Sequence, residues 1–144
     1  MNKTHLLIIS LFGFSLFAGC GSSPSDISSQ SLSENPLPSC PDSPNCIRIT
    51  KQIEAPSDEV FDNALATLNA MGPQQITEQR DSLKIATVFN VAFVFQDDMA
   101  VQVTVNDSTS SMLHVRSASR VGESDLGVNT RRVKTFLQEF RSRL

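Results

Sequence analysis

Across residues 83–105 the apolar side chains recur at every second position, and on either side of that run they recur at intervals of three and four. Successive side chains of a strand point to opposite faces, whereas residues three and four apart share one face of a helix, so the change of period predicts strands between two helices. Phe89, Val91, Phe93 and Phe95 share one face and Val88, Ala92 and Val94 the other, which predicts a central strand covered on both sides. Asp97 and Asp98 read as the turn that ends it. Val101, Val103 and Val105 alternate with Gln102 and Thr104 as a half-buried return strand, "NDSTSS" at 106–111 reads as a polar hairpin loop, and a strand from Met112 turns Leu113 and Val115 inward.

The flanking segments complete a two-layer plan. Ile47, Ile49 and Ile53 predict an opening strand. Ser57 reads as the N-cap of a helix with Asp58 and Glu59 in its first turn; Val60, Phe61, Ala64, Leu65, Leu68 and Met71 form its apolar face, and Gly72-Pro73 stops it. A last helix runs from an Asn129 cap through Val133, Phe136, Leu137, Phe140 and Leu144. The order predicts an α+β domain, one antiparallel sheet of about four to five strands with two helices packed on it, similar to helix-grip scaffolds. At 144 residues there is room for one such domain.

The N-terminal forty residues follow different rules. Lys3 precedes the apolar run "LLIISLFGFSLF" and small residues close it, the pattern of an export signal too short for a permanent membrane span. Phe17-Ala18-Gly19-Cys20 resembles the lipobox of bacterial lipoproteins, which implies a signal peptide over 1–19 and acylation of Cys20; the alternative is an ordinary signal cut near Gly19 that leaves a free thiol. One acyl chain binds a membrane only marginally, whereas two or more hold it, so a lipidated Cys20 predicts a stable anchor in the bilayer. Gly21 after the cysteine fits sorting to the periplasmic face of the outer membrane rather than retention at the inner one. Residues 20–39 are rich in Ser and Pro and poor in apolar side chains, so they read as a flexible tether with ends about 25 Å apart. The single domain is expected over 40–144.

Cys40 and Cys46 bracket "CPDSPNC". In an oxidising compartment they predict a disulfide, worth roughly 2 to 2.5 kcal/mol by loop closure, since the spacing is not that of a C-x-x-C redox pair. With Cys20 acylated and His114 the one histidine beyond the signal, a metal site is not expected, nor is a cofactor.

The formal net charge of −3 argues against nucleic acid as a partner. Basic residues gather instead at the C-terminal end, in "RSASRVGESDLGVNTRRV" at 116–133. Strand alternation places His114, Arg116, Ala118 and Arg120 on one face and Ser117 and Ser119 on the other, so His114 does not reach either serine as a catalytic base, and no G-x-S-x-G elbow is present. Gly122 and Gly127 bracket a tight corner, where Asp125 is expected to pair with Arg120 or Arg132 ahead of the Asn129 cap. Arg116, Arg120, Asp125, Asn129 and Arg132 therefore form either a structural brace or a site for a small anion at a helix N-terminus.

Three segments carry a resemblance: "CPDSPNC" at 40–46, "FQDD" at 95–98 and "VRSASRVGESDLGVNTRRV" at 115–133. Together they resemble a bacterial and plastid family known as domain of unknown function 1499, with its C-P-x-x-P-N-C and R-S-x-S-R-x-G-x-x-D-x-G-x-N-x-x-R segments, here in lipoprotein form. Ile47 and Arg48 depart from the serines that often follow the second cysteine in that family. The resemblance implies no reaction. The expected function is that of an envelope lipoprotein whose non-enzymatic domain binds a ligand or partner, either a small anionic molecule or another envelope protein; the alternative is a hydrolase or transferase acting on an anionic envelope substrate at the Arg/Asp-rich corner.

Overall fold

The computed structural model describes residues 34–92 and 94–144. Cys20, the signal segment, most of the expected tether and Phe93 lie outside the described residues. The chain runs through strand β1 (Cys46–Ile53), helix α1 (Ser57–Ala70), strands β2 (Gln75–Gln79), β3 (Lys84–Val91), β4 (Phe95–Val105) and β5 (Ser111–Ser119), and helix α2 (Val128–Arg141), with a 3-10 turn at Arg80–Ser82 between β2 and β3. All five strands form one antiparallel sheet in the order β1-β5-β4-β3-β2. After β1, α1 crosses to the far edge, β2 to β5 meander back until β5 lies beside β1, and α2 closes over the same face. This is the two-layer α+β, helix-grip arrangement that the periodicity predicts.

One register row shows how sequence alternation builds the layers. Ile49, Val115, Val101 and Ile85 are opposed across β1, β5, β4 and β3, and all four are buried under the helices. Val60, Phe61, Ala64 and Leu68 of α1 and Val133, Phe136, Leu137 and Phe140 of α2 close the core from above. Each fully buried phenylalanine contributes about 1.5 to 3 kcal/mol relative to exposure, and Phe61, Phe136 and Phe140 are all in that state. Phe136 and Phe140, one turn apart, stack with ring centroids 5.8 Å apart. The stripe stops there, because Leu144 lies beyond the helix and is half exposed.

The structure departs from the sequence expectation at several points. The hairpin between β3 and β4 turns after Val91, with Ala92 at φ 49°, and not at Asp97 and Asp98, which belong to β4. Turn-forming aspartates are tolerated in that strand because each meets an arginine: Arg132 on the helix side reaches Asp97, and Arg120 on the other side reaches Asp98. Strand β2 was not signalled, since its residues are polar and mostly exposed; pairing with β3 and the partly buried Ile76 hold it. Ser57 is the first residue of α1, whose N-cap is Pro56 with no side-chain cap. Asn129 likewise lies inside α2, where Gly127 at φ 76° is the N-cap; a left-handed backbone there favours glycine.

Cys40 and Cys46 are joined by a disulfide, with Cα atoms 5.6 Å apart. Ahead of it, residues that the composition assigns to the tether are packed on the sheet. Leu37 is buried, and Asn35 donates from Nδ2 to the carbonyl of Ile49 (2.9 Å) and to Thr50 Oγ1 (3.0 Å), while its carbonyl accepts from Arg48 Nη2. A single leucine and a single asparagine are enough to strap residues 34–39 when both find buried partners.

Candidate functional site

The chain leaves β5 at Ser119, turns at Gly122 (φ 85°) and enters α2 through Gly127. Asp125 holds this corner. Its Oδ1 accepts from the N–H of Gly127 (2.9 Å) and its Oδ2 from the N–H of Asn129 (2.6 Å), satisfying amide groups that a helix start leaves unpaired. Burial works to raise the Asp125 pKa, but the hydrogen bonds from Asn129 and Gly127 outweigh it and hold the carboxyl below its usual range. Asp125 thus serves the amide groups at the start of α2 from two residues ahead of the Gly127 N-cap, and is not the partner of Arg120 or Arg132.

Between this corner and the β3–β4 hairpin lies a cleft of about 440 Å³. Val91 and Phe95 form its hairpin wall, Val121, Leu126 and Val128 its corner wall, and Asp97 lies at its floor. Three of the lining side chains are large, apolar and exposed: Phe95, Val121 and Leu126, the last to 85%. Leu126 holds φ 53°, a left-handed conformation that costs a branched side chain about 1 to 2 kcal/mol.

The floor is ionic and buried. Arg132 Nη1 lies 2.8 Å from Asp97 Oδ2, with the side chains only 9% and 3% exposed. That nitrogen directs its hydrogens to Asn129 Oδ1 (2.8 Å) and Ser117 Oγ (3.3 Å), so the Asp97 oxygen is held by charge and accepts no hydrogen bond. The guanidinium also lies over the Phe89 ring, 4.7 Å from its centroid. Asn129, buried, ties three elements together. Its Oδ1 accepts from Ser117 Oγ (2.5 Å), and its Nδ2 donates to Ser119 Oγ (3.0 Å) and to the Asn45 carbonyl (3.1 Å). Asn45 Nδ2 in turn donates to the Gly122 carbonyl.

The five arginine-corner residues do not converge on one anion site. Arg132, Asn129 and Asp125 lie on the helix side of the sheet, whereas Arg116 and Arg120 lie on the opposite face, as strand alternation requires. Arg120 grips Asp98 through Nε (3.0 Å to each oxygen) and Nη2 (2.8 Å) and reaches Gln96 with Nη1. His114 is on that outer face too, buried, with Nδ1 2.9 Å from Thr50 Oγ1 and Nε2 2.9 Å from Thr104 Oγ1. The sheet therefore keeps His114 away from Ser117 and Ser119, as expected. Among the described residues no group of three or more His, Cys, Asp or Glu could hold a metal ion, and no helix is long and apolar enough to cross a membrane. The sequence marks Asn45 as a position of the C-P-x-x-P-N-C segment but not its role at this corner, and the apolar lining goes unread; Val121 and Leu126, large apolar residues among polar ones beside Gly122 and Gly127, are the available signal.

The family model for a protein of unknown function, DUF1499, matches residues 17–140, which includes the disulfide loop and the whole α2 corner. The chain belongs to the DUF1499 family. No curated protein matches it. Among solved structures, this DUF1499 chain is similar to the di-domain ARO/CYC StfQ from the steffimycin biosynthetic pathway, at 14% identity and TM-score 0.50, over 67% of this chain and 44% of that one. It is also similar to a protein of Thermus thermophilus, at 10% identity and TM-score 0.45, over 68% of this chain and 95% of that one. The DUF1499 chain thus spans less than half the length of StfQ, and at this identity the likeness shows the helix-grip fold alone.

Proposed function

We propose that this chain is a lipid-anchored module of the cell envelope whose cleft binds an apolar small molecule or chain without transforming it. The observation that carries the reading is the cleft between the end of the sheet and the start of α2. It is walled by Val91, Phe95, Val121, Leu126 and Val128 and rimmed by large apolar side chains left in water. Exposed apolar clusters of that kind in a concave surface are where ligands gain most from leaving water. The polar floor is internally neutralised by Arg132 and Asp97, so it gives the cleft a fixed end without a free charge. The lipobox-like Phe17-Ala18-Gly19-Cys20 supports the anchor, and Gly21 the outer membrane.

The strained Leu126 supplies the test. Leu126→Gly relieves the left-handed backbone and removes the apolar rim, so the variant is expected to be as stable as the parent or about 1 kcal/mol more stable. It is also expected to bind a neutral apolar fluorophore such as N-phenyl-1-naphthylamine several-fold more weakly, as measured by fluorescence titration beside thermal unfolding. Equal fluorophore affinity in Leu126→Gly and in Val121→Asp would reject the cleft as the binding site.

A further inference from the structure

We infer that the outer face of the sheet, the one turned away from both helices and from the cleft, carries a second site that takes an anionic phosphate group. The site is centred on Arg116 and backed by Arg48. The two residues are directly opposed on β5 and β1, and the row continues through Ala100 on β4 and Ala86 on β3 to Thr77 on β2. Like charges facing each other across a strand pair repel, and a cation withdrawn from water is costly without a counter-charge. Among the described residues the one partner of the pair is the Asn35 carbonyl, which accepts from Arg48 Nη2; Nε of Arg48 and Nε of Arg116 are both buried with no acceptor. Arg116 has no side-chain hydrogen bond or ion pair among the described residues, and the carboxylate closest in register, Asp98, is occupied by Arg120.

The space beside Arg116 has the shape for an occupant. A trough of about 260 Å³ runs over the sheet with Ala86 and Ala100 as a low floor, Arg116 and the paired Arg120 and Asp98 along one side, and Thr77 and Gln75 at the other. The alanines leave room above the strands where larger side chains would fill it. His114, the next outward-facing residue along β5, has its ring nitrogens engaged by Thr50 and Thr104, so it supplies no free donor to the trough. The arrangement is the Arg116 guanidinium beside the closed Arg120–Asp98 pair, over a small-residue floor with hydroxyl and amide groups opposite. Guanidinium forks recognise the oxygens of a phosphate in pairs, and a phosphate group would neutralise the Arg48–Arg116 repulsion at the same time. Its source is either a free phosphate compound or the headgroup of an anionic phospholipid.

The full chain and its Arg116→Gln variant separate the possibilities. Thermal unfolding is measured in inorganic phosphate and in chloride at equal pH and ionic strength, and partition is measured onto vesicles of phosphatidylcholine with and without phosphatidylglycerol. Arg116→Gln removes a repulsive charge that has no partner, so the variant is expected to fold and to melt in chloride at or above the wild-type temperature. Phosphate is expected to raise the wild-type melting temperature but not that of Arg116→Gln, with affinity falling about tenfold or more on losing a charge-assisted pair. If only the anionic vesicles discriminate wild type from variant, the occupant is a lipid headgroup; the difference between the two chains cancels any contribution of the N-terminus. Arg48→Gln is expected to reproduce both effects more weakly. A wild type that responds to neither phosphate nor anionic vesicles, or a variant that responds as wild type does, overturns the site.

Discussion

Arg132 and Asp97 are nearly withdrawn from water, and that decides what mutation does to them. Removing one member leaves the other charge buried alone, so Arg132→Ala is expected to lower stability by about 3 to 5 kcal/mol, while Arg132→Met with Asp97→Leu recovers most of the loss. Urea unfolding of the single and double variants measures this; a single variant within about 1 kcal/mol of the parent would mean the pair is hydrated. His114 makes a different prediction at the same scale. Burial, and then the positive charge of Arg48, pull its pKa below the usual 6.5. The folded state therefore resists protonation while the unfolded state does not. The imidazole's contribution is complete above pH 6.5 and is lost as pH falls from there toward the lowered folded value. Stability is expected to be flat near pH 7.5 and to decline toward about pH 5.5, and His114→Gln is expected to flatten that decline. A wild-type stability that rises on acidification through this range would contradict it.

At the scale of elements, Asp125 shows why the corner holds. Asp125→Ala removes both acceptors at the start of α2 and is expected to cost about 1 kcal/mol, with faster amide exchange at Gly127 and Asn129 than in the helix centre. The same corner shows what the sequence made legible. Both helices and strands β4 and β5 were readable because each has one buried face, so burial prints its period on the chain. Strand β2 was not, since Ile76 is its one partly buried side chain, and pairing with β3 does most to keep it in place. The caps were misplaced by a residue or more for a related reason: Asn129 has the chemistry of a cap, but tertiary partners in β5 and just ahead of β1 claim its side chain, and Asp125, ahead of the helix, assumes the task. Asp97 and Asp98 were misread because turn propensity is local, while the arginines that retain them in β4 lie far along the chain. That Asp125, Asn129 and Arg132 meet near the start of α2 was legible; that Arg116 and Arg120 fall on the other face of the sheet was not, because alternation along one strand does not say which face the helices cover; the apolar cleft was not legible either, because a cavity is defined by what several loops fail to fill.

For the whole molecule, the anchored reading is tested by location. Cys20→Ser is expected to move the protein from the membrane to the soluble fraction of the envelope, and equal partition of wild type and variant would remove the anchor from the proposal. The folded unit itself is stapled at its entrance by the Cys40–Cys46 disulfide and, just ahead of it, by Asn35 and Leu37 laid on the sheet. That strap lies at one border of an open five-stranded sheet whose other border is β2. A border strand offers unpaired amide and carbonyl groups to any neighbouring copy, a hazard that grows when molecules are crowded side by side. Here one border has a carbonyl already claimed by Asn35, and the other is a five-residue run of Gln, Thr and Glu around one isoleucine, too short and too hydrophilic to recruit a sixth strand. The sheet can stay open without inviting self-association.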